Sequence, residues 1–250
     1  MTATIITTLI LAIIAGLWVF KVNGRTKKVP QQENTSTYNK VEAEKFVTKL
    51  DELGYFKYAD NSALDSLKTT FIKEFDPTAE LTSIWDDNTH LPKDFRYYFC
   101  DGEEVYEQGG IIGLLNDLKP VFNKMNFKCD ITNHFEEWDV KNKWLNHKIT
   151  INGTEYIIFK NFKDYGWGEA PFRIAQILNR ELTKQNIDEQ IYLVNGGNDG
   201  RLAVLSKEQH ELIYNTYKDK NWKPLEIKEW ADISKLDIKK FDYGKNKNCK

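Results

Sequence analysis

Asp130, Thr132, His134 and Glu136 alternate through the run FKCDITNHFEEWD. On a strand, alternate side chains share a face, so an imidazole and two carboxylates would stand together, with Phe127, Cys129, Ile131 and Phe135 behind them. That set suits metal binding or acid–base catalysis. It also describes the solvated face of any half-buried strand. The solvated face is the expected reading, because His90, His147 and His210 are isolated in the sequence and none has ligand spacing to His134. No metal site and no cofactor are expected.

A second candidate is the run Asn195, Gly196, Gly197, Asn198, Asp199, Gly200. A phosphate-cradling loop would need a Lys after its last glycine, and Arg201 and Leu202 follow instead. A calcium loop would need regularly spaced acids and a closing Glu. Asp199 could serve as an acid or base. Asn, Asp and Gly also supply the positive φ that a hairpin connection requires, so a turn is the expected role.

The third candidate is Asp164-Tyr165-Gly166-Trp167-Gly168-Glu169-Ala170-Pro171, in which aromatics alternate with glycines ahead of a helix. Pro171 suits the first turn of that helix. Exposed Tyr and Trp make contact platforms, and a helix N-terminus attracts anions. Arg173 would add a positive charge. The competing reading folds Trp167 back as a lid on the core. The expected binding surface is Tyr165, Trp167, Glu169, Arg173, Asn198 and Asp199. No catalytic residue is assigned. Ser206 has Gln209 three residues on, which makes it a helix cap, and G-x-S-x-G is absent.

These residues need elements to hold them. Val41, Phe46, Val47, Leu50 and Leu53 recur at helical spacing, and Leu64, Leu67, Phe71 and Ile72 form a second helical set, giving an N-terminal helical pair. Residues 76–94 are an irregular loop, with Trp85 expected as a plug over the core. Three hairpin–helix units follow. They turn at Asp101-Gly102, at Asn152-Gly153 and at residues 195–200. FKCDITNHF adds a strand before the second hairpin, and PLEIKEW follows the third helix. The fold class is α+β, with an antiparallel or mixed sheet and helices on one face. Residues 41–230 are expected as a single soluble domain, with a poorly ordered tail from Ala231.

Residues 1–20, MTATIITTLILAIIAGLWVF, carry no charge. As a helix they span roughly 30 Å, the thickness of a bilayer's hydrocarbon core. Trp18 and Phe20 close the run, and Lys21, Arg25, Lys27 and Lys28 follow. Basic flanks stay cytoplasmic, so the reading is a retained single-pass signal anchor, N-terminus outside and body in the cytoplasm. A cleaved signal peptide would want a basic region before the apolar run and a small-residue cleavage site after it. Residues 21–40 are a basic flank and flexible tether.

Those four are the only charged residues among the first 28, so the remainder has 35 − 4 = 31 basic against 37 acidic side chains. A body at −6 has no general pull on nucleic acid, which is excluded as a partner. The three cysteines lack disulfide or zinc spacing, and Cys100 and Cys129 are expected as buried thiols. The Asn/Lys-rich, aromatic-rich composition resembles that of small bacterial α+β proteins, including some immunity proteins of bacterial toxin systems; no motif accompanies it and no residue role is carried over. The expected function is a membrane-anchored protein-binding module. The alternatives are a hydrolase using His134, Glu136 and Asp199, or a structural component of envelope assembly.

Overall fold

The structure, a computed structural model, describes residues 40–238. The expected membrane span and the tether up to residue 39 lie outside them, as do residues 239–250. Among the described residues no helix is long and apolar enough to cross a membrane.

Helix α1 (Lys40–Glu52) buries Ala43, Phe46, Val47 and Leu50, the stripe its spacing implies. Gly54, at φ 70°, ends it in the left-handed conformation that glycine adopts without strain. A 3-10 turn, Tyr55–Tyr58, leads on to α2 (Leu64–Lys73), which buries Leu67 and Phe71 and packs against α1. The loop at 76–94 folds on itself through a bridge between Trp85 and Pro92. Trp85 stacks on the exposed ring of Phe99 rather than plugging the core.

The first expected hairpin is absent. Strand β1 (Tyr97–Phe99) is followed at once by helix α3 (Gly102–Tyr106). The Asp101 carboxylate accepts from the Glu103 and Glu104 N–H groups and caps that helix. Asp is as good a helix cap as a turn residue, and two acids in the first turn complement the helix dipole. Helix α4 (Gly110–Lys124) then buries Ile111, Leu114, Leu115, Leu118 and Phe122 as expected.

The second unit forms. Strands β2 (Ile131–Asp139), β3 (Trp144–Ile151) and β4 (Thr154–Phe162) make an antiparallel sheet in that order. Asn152 and Gly153, at φ 49° and 76°, make the tight turn between β3 and β4. Helix α5 (Glu169–Lys184) packs on β4 and on β5 (Gln190–Val194). The third hairpin joins β5 to β6 (Arg201–Leu205), and Ser206 with Gln209 forms the capping box that opens α6 (Lys207–Thr216). Within PLEIKEW only Leu225 pairs, with Leu193, and Ile227 to Trp230 enter α7 (Ile227–Ile233). α7 runs through Ala231, which is fully buried, and Leu236 and Ile238 pack on the core.

There are thus two antiparallel sheets rather than one. β1 pairs with β6 across a hundred residues, Tyr97 opposite Ala203, giving the order β1-β6-β5. Helices do not cover one face alone. Tyr192, Val194, Ala203 and Leu205 join α1 and α2 in one apolar cluster. Their neighbours Ile191, Leu193, Leu202 and Val204 join α4, α5 and the second sheet in the other. Alternate residues of β5 and β6 therefore enter two cores, which explains two strands with no polar face.

Candidate functional site

Strand β2 carries a register shift between Ile131 and Asn133. An extra residue in one strand inverts the alternation beyond it. Ile131, His134, Glu136 and Trp138 consequently stand opposite Ile151, Ile149, His147 and Leu145 of β3, whose buried positions alternate in step. His134 and Glu136 point to the inner face of the sheet, and Phe135 points outward with 43% exposure. Glu136 is thereby drawn in, with its side chain 5% exposed, whereas His134 remains solvent-exposed on the edge strand.

His147, isolated in the sequence, arrives directly across from Glu136. The two Nε2 atoms of His134 and His147 are 2.9 Å apart. A Glu136 carboxylate oxygen lies 3.7 Å from His134 Nε2, and the three potential ligand atoms all fall within 4.8 Å of one another. Glu136 is held from two sides. The Gly109 N–H donates to Oε2 and the Trp138 indole donates to Oε1, each at 3.0 Å. Burial, with the His134 ring beside it, pushes His147 down to about 4, so it is neutral at physiological pH and keeps a lone pair for a donor or a cation.

Sequence spacing hid His147, because a hairpin sets proximity by register and not by separation. The signal was present nonetheless. Counting back from the pair Asp139 and Trp144 brings Glu136 to His147.

Tyr106, at the end of α3, connects this cluster to the third candidate segment. Its ring meets Trp138 at 5.3 Å and Phe159 at 5.6 Å, and its hydroxyl donates to the Asp164 carbonyl at 3.1 Å. The loop at 164–168 is tightly seated. A Cβ on Gly166 would stand 2.2 Å from the Tyr106 ring, and one on Gly102 would stand 2.1 Å from the Trp167 carbonyl oxygen. From this backbone Tyr165 projects with 84% exposure and Trp167 with 40%. Trp167 is not a core lid. Glu169 opens α5 at partial exposure. Arg173 is not on the surface expected for it: it is buried, with its guanidinium donating to the Ile157 carbonyl and to Gln176.

Residues 195–200 form a turn containing the 3-10 segment Gly197–Asp199, with Asn195 and Gly197 at positive φ. The Trp230 indole donates to the Asn195 carbonyl, and Arg201 donates to the Asp199 carbonyl at 2.9 Å. Asn198 and Asp199 are exposed. Helix α3 packs against this turn, and its Gly102 abuts Trp167, so α3 joins both parts of the expected surface. Asp199 is not a member of the histidine–glutamate group.

Arg96 was not singled out by its sequence context. It is fully buried and donates to the Tyr55, Val204 and Gly54 carbonyls at 2.7, 3.0 and 3.0 Å. Glu189 lies 3.7 Å away and the Tyr58 ring 4.5 Å away. These are structural bonds that tie the 3-10 turn to the first sheet.

No protein-family model matches the sequence, and no curated protein or solved structure is significantly similar to it. The functional reading rests on the residues themselves.

Proposed function

We propose that this chain is a membrane-tethered protein-binding module whose contact surface is Tyr165 and Trp167, with Glu169, Asn198 and Asp199 beside them around α3. The observation that carries this reading is the 84% exposure of Tyr165 on a backbone clamped at Gly102 and Gly166. Large aromatics left in water serve best as anchors for a partner, where Tyr and Trp dominate binding energy. A loop already fixed in place loses little further entropy on binding. Tyr165 and Trp167 stand edge to face, 6.2 Å apart, which presents two ring surfaces at an angle.

The anchor is residues 1–20 and the tether residues 21–40, whose basic flank would keep the domain on the cytoplasmic side. The partner is a protein, since a body at −6 repels polyanions. The test is recovery of partners by the full chain from detergent-solubilised membranes, compared with the Tyr165→Ala/Trp167→Ala variant. The double variant is expected to keep its fold, by circular dichroism, and to lose the partner bound by wild type. Equal recovery of every partner by both proteins would overturn the surface.

A further inference from the structure

We propose that His134, Glu136 and His147 form a binding site for one divalent transition-metal ion of the zinc type, with at least one coordination position left to water or an exogenous donor. The site is separate from the aromatic contact surface and does not depend on it.

The donor set selects the ion. Two imidazole nitrogens and one carboxylate oxygen suit Zn2+ and its first-row neighbours, whereas Ca2+ and Mg2+ take oxygen ligands. Neither Cys100 nor Cys129 belongs to the group, so soft thiolate-selected ions are disfavoured.

The spacing fits a single ion. Zinc–nitrogen bonds of roughly 2.0–2.1 Å in a tetrahedral shell place neighbouring ligand atoms about 3.3 Å apart. Two of the three edges at this site, 2.9 Å between the imidazoles and 3.7 Å from His134 to Glu136, bracket that value, and the third, from His147 to Glu136, is within 4.8 Å. Sheet register builds the arrangement, with His134 and Glu136 two apart on β2 and His147 opposite Glu136 on β3.

Charge points the same way. The Glu136 side chain is only 5% exposed, and among the described residues no Lys or Arg pairs with it. A carboxylate removed from water needs a cation. An ion bound between the three groups would supply that charge. The Gly109 N–H and the Trp138 indole orient the carboxylate and leave each oxygen a free lone pair, the supporting shell that metal ligands require. Entry is open, since β2 is an edge strand and the His134 side chain is 28% exposed.

The competing arrangement is a proton shared between the two imidazoles with no ion at all. The untagged full chain in detergent, stripped with a chelator and dialysed against Zn2+ or Co2+, separates the two. Wild type is expected to take up one equivalent per chain, to gain a visible Co2+ absorption, and to melt at higher temperature with Zn2+. His134→Ala and Glu136→Gln are each expected to weaken uptake by about tenfold or more and to lose both signals. Both changes spare the core, and Gln keeps an oxygen for the Gly109 donor. His90→Ala, at an exposed and remote position, is expected to bind as wild type does. No uptake by wild type, or equal uptake by His134→Ala, overturns the site and leaves the shared proton.

Discussion

Arg96 has no exposed surface, and its guanidinium supplies donors to three carbonyl groups from two distant parts of the chain. Arg96→Met keeps most of the volume and removes all three donors. Three orphaned buried acceptors together cost about 3–5 kcal/mol, while Glu189 keeps Lys57 at 2.6 Å and the Tyr58 hydroxyl at 2.8 Å. Urea denaturation of the full chain in detergent is expected to show a loss of that size. A loss below about 1 kcal/mol would mean that this side chain does not hold the Tyr55–Tyr58 turn to the sheet. Nothing in the local sequence announces the role, because arginine is mostly exposed and its partners lie 41 and 108 residues away. His147 was hidden for a related reason. His134 and Glu136 were legible as chemistry, but their face was not, since the bulge at Ile131 and Asn133 reverses it. Tyr165 and Trp167 were legible as aromatics ahead of a helix, but the exposure of Trp167 was left open against a core lid until the packing at Gly102 and Gly166 fixed the loop. Arg173 was misplaced because a charge near a helix start reads as surface, whereas its long stem lets the guanidinium reach a sheet carbonyl.

Elements whose local chemistry permits one outcome were read correctly. Asn152-Gly153 requires two residues at positive φ and makes a tight hairpin, and Ser206 with Gln209 caps a helix reciprocally. Asp101-Gly102 permits two outcomes. Asp caps helices as readily as it turns hairpins, and the distant pairing of β1 with β6 decides between them. The short helix that results positions the aromatic loop. A methyl group at Gly102 would lie 2.1 Å from the Trp167 carbonyl oxygen, a backbone atom that cannot move alone. Gly102→Ala is therefore expected to displace the 164–168 loop, at about 1–3 kcal/mol of stability, and to weaken partner recovery as the double aromatic variant does. Full recovery with an unshifted Trp167 environment would show that α3 does not set the loop.

At the scale of the whole molecule, composition and hydrophobic pattern gave the α+β class, and long-range pairing set the rest. β5 and β6 were legible as strands, but their burial on both faces depends on α1 and α2 covering one side and α4, α5 and the second sheet the other. Such packing does not follow from any local window. The body holds its chemistry around Tyr106 and α3, with the histidine–glutamate cluster on one side and the exposed aromatics on the other. The claim that these aromatics engage a protein is tested most directly by placing a photo-crosslinking side chain at position 165 of the full chain, with position 140, equally exposed, as the control. A discrete adduct from position 165, absent from position 140 and lost with Gly102→Ala, is the expected result. No adduct at 165, or the same adducts from both positions, would contradict the account.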